Sequence, residues 1–198
     1  MDSLQYPLDF KFKITSLSND FVAKDFSGRT IFYIREKILA WRDQMKVYSD
    51  ESKSQLLYEI RSNRLIDFQQ TFTITTSQGQ VLGKLRRKTI RSFWRATFKL
   101  MNSADEHDFS ITEKSVFVRF WDGIFGEIPL LGMLSGYVFN PSYILSSTAG
   151  DPLLEIKKKP SFFGRKFSVH KLKNDFVEGE ERLVLSLALM VLIERDRG

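Results

Sequence analysis

Residues 183–193 read LVLSLALMVLI, and this run decides the fold. Only Ser186 interrupts it with a polar side chain. At about 100° per residue an α-helix here would turn apolar groups to every side and leave no stripe for solvent. A helix that is hydrophobic all round is buried, either in a large core or in a membrane. Eleven residues make roughly 16 Å of helix, against about 30 Å for the hydrocarbon core of a bilayer. The reading is therefore a C-terminal helix over about 180–195, enclosed by protein, with Leu183, Leu187, Met190 and Val191 in the core. Its flanks agree: Glu178, Glu180 and Glu181 precede the run, and Arg195 and Arg197 follow it. The helix macrodipole favours that placement.

A helix with its side chains is about 10–12 Å across. An eight-stranded barrel is roughly filled by its own side chains, and diameter grows with strand number. The container must have about twelve strands, and the rest of the chain supplies them. Three segments align without a gap: FVAKDFSGRTIFYIREK (21–37), FTITTSQGQVLGKLRRK (72–88) and YILSSTAGDPLLEIKKK (143–159). Gly28, Gly79 and Gly150 share one offset, between runs of β-branched and aromatic residues, which is the pattern of a hairpin whose turn needs a positive φ. Trp41, Trp94 and Phe163 follow at matching distances, then Met45, Phe98 and Phe167, then Val47, Leu100 and Val169. Further strand-like pieces precede each hairpin at FKFKIT, LLYEIR and GYVF. The expectation is a mainly β protein: a closed antiparallel barrel of about twelve strands around a buried C-terminal hydrophobic helix. It forms one domain over 1–198, with pseudo-repeats at about 10–47, 56–100 and 136–170. The stretch KSVFVRFWDGIF (114–125) reads as a helix outside the barrel or plugging one end.

With this hydrophobic pattern the chain resembles the tubby C-terminal-like superfamily, in its LURP-one-related and phospholipid scramblase-related branch. The segments that carry the resemblance are TFTITTSQGQVLGKLRRK, the third unit through KKKPSFFGRKFSV, and the terminal helix with ERDRG. The resemblance implies a twelve-stranded barrel around a central helix and, through tubby domains, binding of phosphoinositides. Scramblases carry an acidic segment before the last helix that is proposed to bind calcium. The matching NDFVEGEE lacks alternating Asp and Asn ligands, and the macrodipole accounts for its acids.

Composition narrows the function classes. Of 198 residues 42% are hydrophobic and 18 are Phe, enough apolar mass for a sizeable core. The absence of Cys removes disulfides, thiolate catalysis and Cys-based zinc sites. His107 and His170 are the only histidines and form no ligand-spaced pair. Neither a GxSxG elbow nor a P-loop occurs. The expectation is a protein that is not an enzyme and has no cofactor or metal. The N-terminal residues lack the apolar region of a signal peptide. The run Ile124–Phe139 is broken by Glu127, Pro129 and glycines. The reading is a cytoplasmic protein that is not transmembrane and is peripheral at the membrane if it meets one.

The formal charge of +6 favours anionic partners. The cations cluster where the second and third units close: Lys84, Arg86, Arg87 and Lys88, then Lys157, Lys158 and Lys159, with Arg165 and Lys166 soon after. These nine are the candidate lipid-binding residues, since cations attract an anionic leaflet at about 1 kcal/mol each. Lysines on strand ends also serve simply to discourage edge pairing. The leading functional reading is a binding module for anionic phospholipid or phosphoinositide through a basic rim. Alternatives are a protein-interaction or structural domain without lipid binding, and a scramblase-like lipid-handling protein. No recognition helix or stacking platform points to nucleic acid.

Overall fold

A computed structural model describes residues 4–15, 18–36, 44–64, 70–88, 97–114, 142–160, 166–173 and 179–195. Twelve strands run in chain order: β1 (Leu8–Thr15), β2 (Ser18–Lys24), β3 (Thr30–Glu36), β4 (Gln44–Tyr48), β5 (Leu56–Arg64) and β6 (Gln70–Thr76). They continue as β7 (Val81–Lys88), β8 (Thr97–Met101), β9 (His107–Glu113), β10 (Ser142–Ser147), β11 (Pro152–Lys159) and β12 (Lys166–Lys171), followed by helix α1 (Glu180–Arg195). Each strand pairs antiparallel with its chain neighbours, and β12 returns to β1 to close the barrel. Closure leaves no unpaired sheet edge.

The three aligned segments form the β2–β3, β6–β7 and β10–β11 hairpins. Gly28, Gly79 and Gly150 adopt φ of 85°, 86° and 92°. In each turn the glycine amide donates to the carbonyl three residues back, on Asp25, Thr76 or Ser147, at 2.9, 2.9 and 3.0 Å. The side-chain oxygen of that same residue accepts from the amide of Arg29, Gln80 or Asp151 at 3.0, 3.2 and 3.2 Å. Register shifts fall at one shared offset, Ala23/Lys24, Ile74/Thr75 and Leu145/Ser146. This is the three-residue hairpin loop with a bulge at the left-handed residue. A fourth copy joins β8 to β9. There Asn102 is the capping side chain, accepting from Glu106 N at 2.9 Å, and Asp105 takes φ 64° in place of glycine.

In the third unit, β10 pairs with β9 on one side, Tyr143 opposite Glu113, and with β11 on the other. GYVF, the stretch KSVFVRFWDGIF beyond Lys114, and Trp41, Trp94 and Phe163 lie outside the described residues.

Alternate strand positions point inward and form one core with the helix. Leu183, Leu187 and Met190 are fully buried and Val191 is 3% exposed. The lining is uneven. Phe10, Phe12, Phe21 and Phe32 stack edge and face across β1, β2 and β3, with centroids 5.2–6.5 Å apart. On the opposite wall β7 carries Gly83 at the offset that holds Phe32 and Leu154 in the other units. The helix makes its most extensive backbone approach to β7. Bulky rings fill one side, and a notch receives the helix on the other.

Arg182, in the first turn of α1, occupies that notch. Its Nη1 donates to the Met101 carbonyl at 3.0 Å and to Asp108 Oδ1 at 3.1 Å, Nη2 donates to Asp108 Oδ2, and the guanidinium lies 5.5 Å from the Phe109 ring centre. A Cβ on Gly83 would meet the Met101 carbonyl oxygen at 2.4 Å and Arg182 Cδ at 2.7 Å. At the far end of α1, Arg87 is 5% exposed and its Nη2 donates to Glu194 at 3.0 Å. Lys171 bonds Glu180 at 3.1 Å.

Two stability measurements check this packing. Gly83→Ala should cost about 1–3 kcal/mol, seen as a melting temperature lowered by about 2–4 °C per kcal/mol for a chain of this size; an unchanged melt would mean that Arg182 does not fill the notch. Leu187→Asp places a charge in the apolar core at a cost of several kcal/mol, comparable to the whole stability of an ordinary domain. It should abolish the cooperative thermal transition.

Candidate anion-binding face

Closure of the barrel sorts the candidate cations. On β7, Leu85 points inward, so Lys84 and Arg86 point outward and Arg87 inward. Lys84 Nζ lies 3.1 Å from Asp105 Oδ1, and Arg86 lies 3.9 Å from the same oxygen. Asp105 is the left-handed residue of the glycine-free β8–β9 turn, so that turn delivers a carboxylate to the β7 cluster. Arg87 belongs to the interior, with Glu194 and the Phe98 ring, 5.7 Å away, as neighbours. Lys88 ends β7, and Arg165 lies outside the described residues.

The third-unit cations behave differently. Lys158 is opposite Phe167 on β12, at the repeat offset of Arg87. Lys157 and Lys114 flank Glu155, at 3.1 and 2.9 Å. Burial pushes the Glu155 carboxyl up, and hydrogen bonds and charge from Lys114 and Lys157 outweigh it and hold the group below the usual range. Lys159 sits directly opposite Lys166, and Lys166 sits directly opposite Lys11 on β1. Three lysines thus occupy one cross-strand row over β11, β12 and β1. Directly opposed residues have Cβ atoms about 4.5–5.5 Å apart, and like charges there are destabilising. Lys159 pairs with Asp9 at 2.5 Å. Lys11 and Lys166 are exposed and have no ion-pair partner among the described residues.

The β7 and β11 clusters do not merge: β8, β9 and β10 separate them, and the lysine row extends from β11 away from β7. Lys11 was not among the residues singled out from the sequence. Its role depends on the β1–β12 seam, which no local pattern reveals. Elsewhere His107 Nε2 lies 3.0 Å from Ser110 Oγ, and His170 faces Glu155 across the ladder. No group of three or more His, Asp or Glu among the described residues is placed to hold a metal ion. No helix among them is long and apolar enough to cross a membrane.

The family model described as LURP-one-related matches residues 30–124. The chain carries a LURP-one-related domain. That family belongs to the tubby-like superfamily, in keeping with the closed barrel and C-terminal helix. Among curated proteins and among solved structures, nothing matches the chain. The matched stretch of the LURP-one-related domain runs from β3 through β9. The seam strands β1, β11 and β12, the helix and the lysine row all lie outside it.

If the row is electrostatically strained, reversing its centre should relieve it. Lys166→Glu creates two opposite-charge cross-strand pairs worth roughly 0.2–1 kcal/mol each, so the melting temperature should rise at low salt and the gain should shrink in concentrated salt. A fall in stability would show that the three lysines do not repel one another.

Proposed function

We propose that this LURP-one-related barrel is a single, non-enzymatic domain that binds an anionic phospholipid surface, with Lys11, Lys166 and Lys159 as its contact row. The observation that carries the reading is the row itself. Like charges held opposite one another on adjacent strands cost stability, and an anionic surface would offset that cost. Each Lys near such a surface contributes about 1 kcal/mol. Lys157 on the same wall is engaged by Glu155, and Lys84, Arg86 and Arg87 on β7 are engaged by Asp105 and Glu194. The contact is one face of the barrel wall, not a basic rim shared by two units.

Co-sedimentation with phosphatidylglycerol and phosphoinositide vesicles tests it, with phosphatidylcholine vesicles as the uncharged control. The protein should pellet with the anionic vesicles at low salt and less at physiological salt, because the attraction is screened beyond about 8 Å there. The double reversal Lys11→Glu, Lys166→Glu should lower partitioning by more than tenfold. A protein that stays in the supernatant with both anionic vesicle types overturns the lipid reading and leaves a protein-interaction domain.

A further inference from the structure

Phe26 is 72% exposed and Leu172 45% exposed, and they are the exposed large hydrophobic residues among those described. Single exposed apolar side chains are ordinary. Their position is what matters here. Phe26 is at the tip of the β2–β3 hairpin, and its amide donates to the Gln5 carbonyl at 2.9 Å, which ties the tip to the chain entering β1. Leu172 follows β12, and its amide donates to Leu153 of β11 at 2.9 Å. Both tips therefore belong to the contiguous wall β3–β2–β1–β12–β11, the wall that carries the lysine row.

Between the tips and the row lies a second tier, in which Lys24 is opposite Asp9, Asp9 opposite Ser168, and Ser168 opposite Lys157. Lys24 and Lys157 are exposed. The nearby carboxylates are engaged: Asp9 by Lys159, Glu155 by Lys114 and by Lys157 of this tier, Asp25 by Arg29 at 3.0 Å, and Asp151 by Lys173 at 3.9 Å. This leaves Lys24 as the tier's exposed cation without a pair among the described residues. One wall thus combines cations with two fixed apolar tips. That combination fits an anionic bilayer, whose headgroups take the charges and whose acyl boundary takes the apolar side chains.

We infer that Phe26 and Leu172 are apolar anchors that enter an anionic bilayer when the lysine-bearing wall docks on it. The inference rests on the proposed lipid reading and adds a side-on orientation and an insertion point. The β8–β9 turn, bearing exposed Ser103, is on the diametrically opposite side of the twelve-strand ring and faces water in the docked state.

The chain has no Cys, so single-Cys variants accept one environment-sensitive fluorophore at a chosen point. Phe26→Cys and Ser103→Cys would be labelled and mixed with phosphatidylglycerol vesicles. The Phe26→Cys label should brighten and shift to the blue, and the Ser103→Cys label should stay unchanged. In co-sedimentation, Phe26→Ala should weaken binding roughly tenfold, and the loss should persist at salt concentrations that erase the effect of Lys166→Glu. If the unlabelled wild-type chain binds no anionic vesicle, the lipid reading itself fails. If it binds but Phe26→Ala is neutral, or both labels respond alike, the anchor assignment is overturned while the lysine row stands.

Discussion

An α-helix that is apolar on every side has to be walled off from water along its whole length, and its width of about 10–12 Å sets the circumference of that wall. An open sheet would leave one flank of the helix wet and two strand edges unpaired. A closed antiparallel barrel meets both requirements at once, since inward positions on alternate residues supply the apolar contact and closure pairs every strand. Twelve strands are needed because eight would be filled by their own side chains. The tight turns follow from the same demand. A meander of short strands needs compact reversals, and Gly28, Gly79 and Gly150 make them with one hydrogen-bond pattern. Asn102 and Asp105 reproduce it without glycine.

Burial alone would let a featureless apolar cylinder slide or rotate inside its container. Polar contacts at both ends of α1 remove that freedom. Arg182 reaches the Met101 carbonyl and Asp108 through the space left at Gly83, and Glu194 meets Arg87. Glu194 near a helix C-terminus opposes the macrodipole, and the adjacent Arg87 cation offsets it. Ser186 is 1% exposed and its hydroxyl has no hydrogen-bond partner among the described residues. The polar specificity of the core therefore resides at the two ends of the helix, where side chains reach backbone and charge.

The helix was legible in the sequence because its evidence is local: an uninterrupted apolar run of known length. The hairpins were legible because left-handed turns demand glycine at a fixed offset. What escaped was everything that depends on a contact between distant strands. The β8–β9 turn carries no glycine, so nothing local marks β9 at His107–Glu113 as the partner of β10. Arg182 reads as one charge in a helix cap until Gly83, Met101 and Asp108 are brought around it. Basic residues on β7 looked equivalent to those on β11 because their repeat offsets match, but repeat equivalence fixes only backbone position. Asp105 comes from the β8–β9 turn and Glu194 from α1, and the repeat offset reveals neither.

Closure has a consequence for charge as well as for the core. Lys11 lies near the start of the chain, Lys159 and Lys166 near its end, and only the β1–β12 seam makes them neighbours. A seam lysine can be changed to a neutral residue without disturbing a turn, the helix or the core. Steric requirements therefore do not explain three like charges in one row, and solubility requires only a net charge, for which any exposed position would serve. Lys99 on β8 is an outward cation beside Arg86, yet Asp105 tempers that pair from the next turn. On the seam, Asp9 is the one described carboxylate paired with the row, and it engages Lys159 alone. The repulsion left between Lys11 and Lys166 is a cost that folding does not need, which is the physical reason to look for a ligand there.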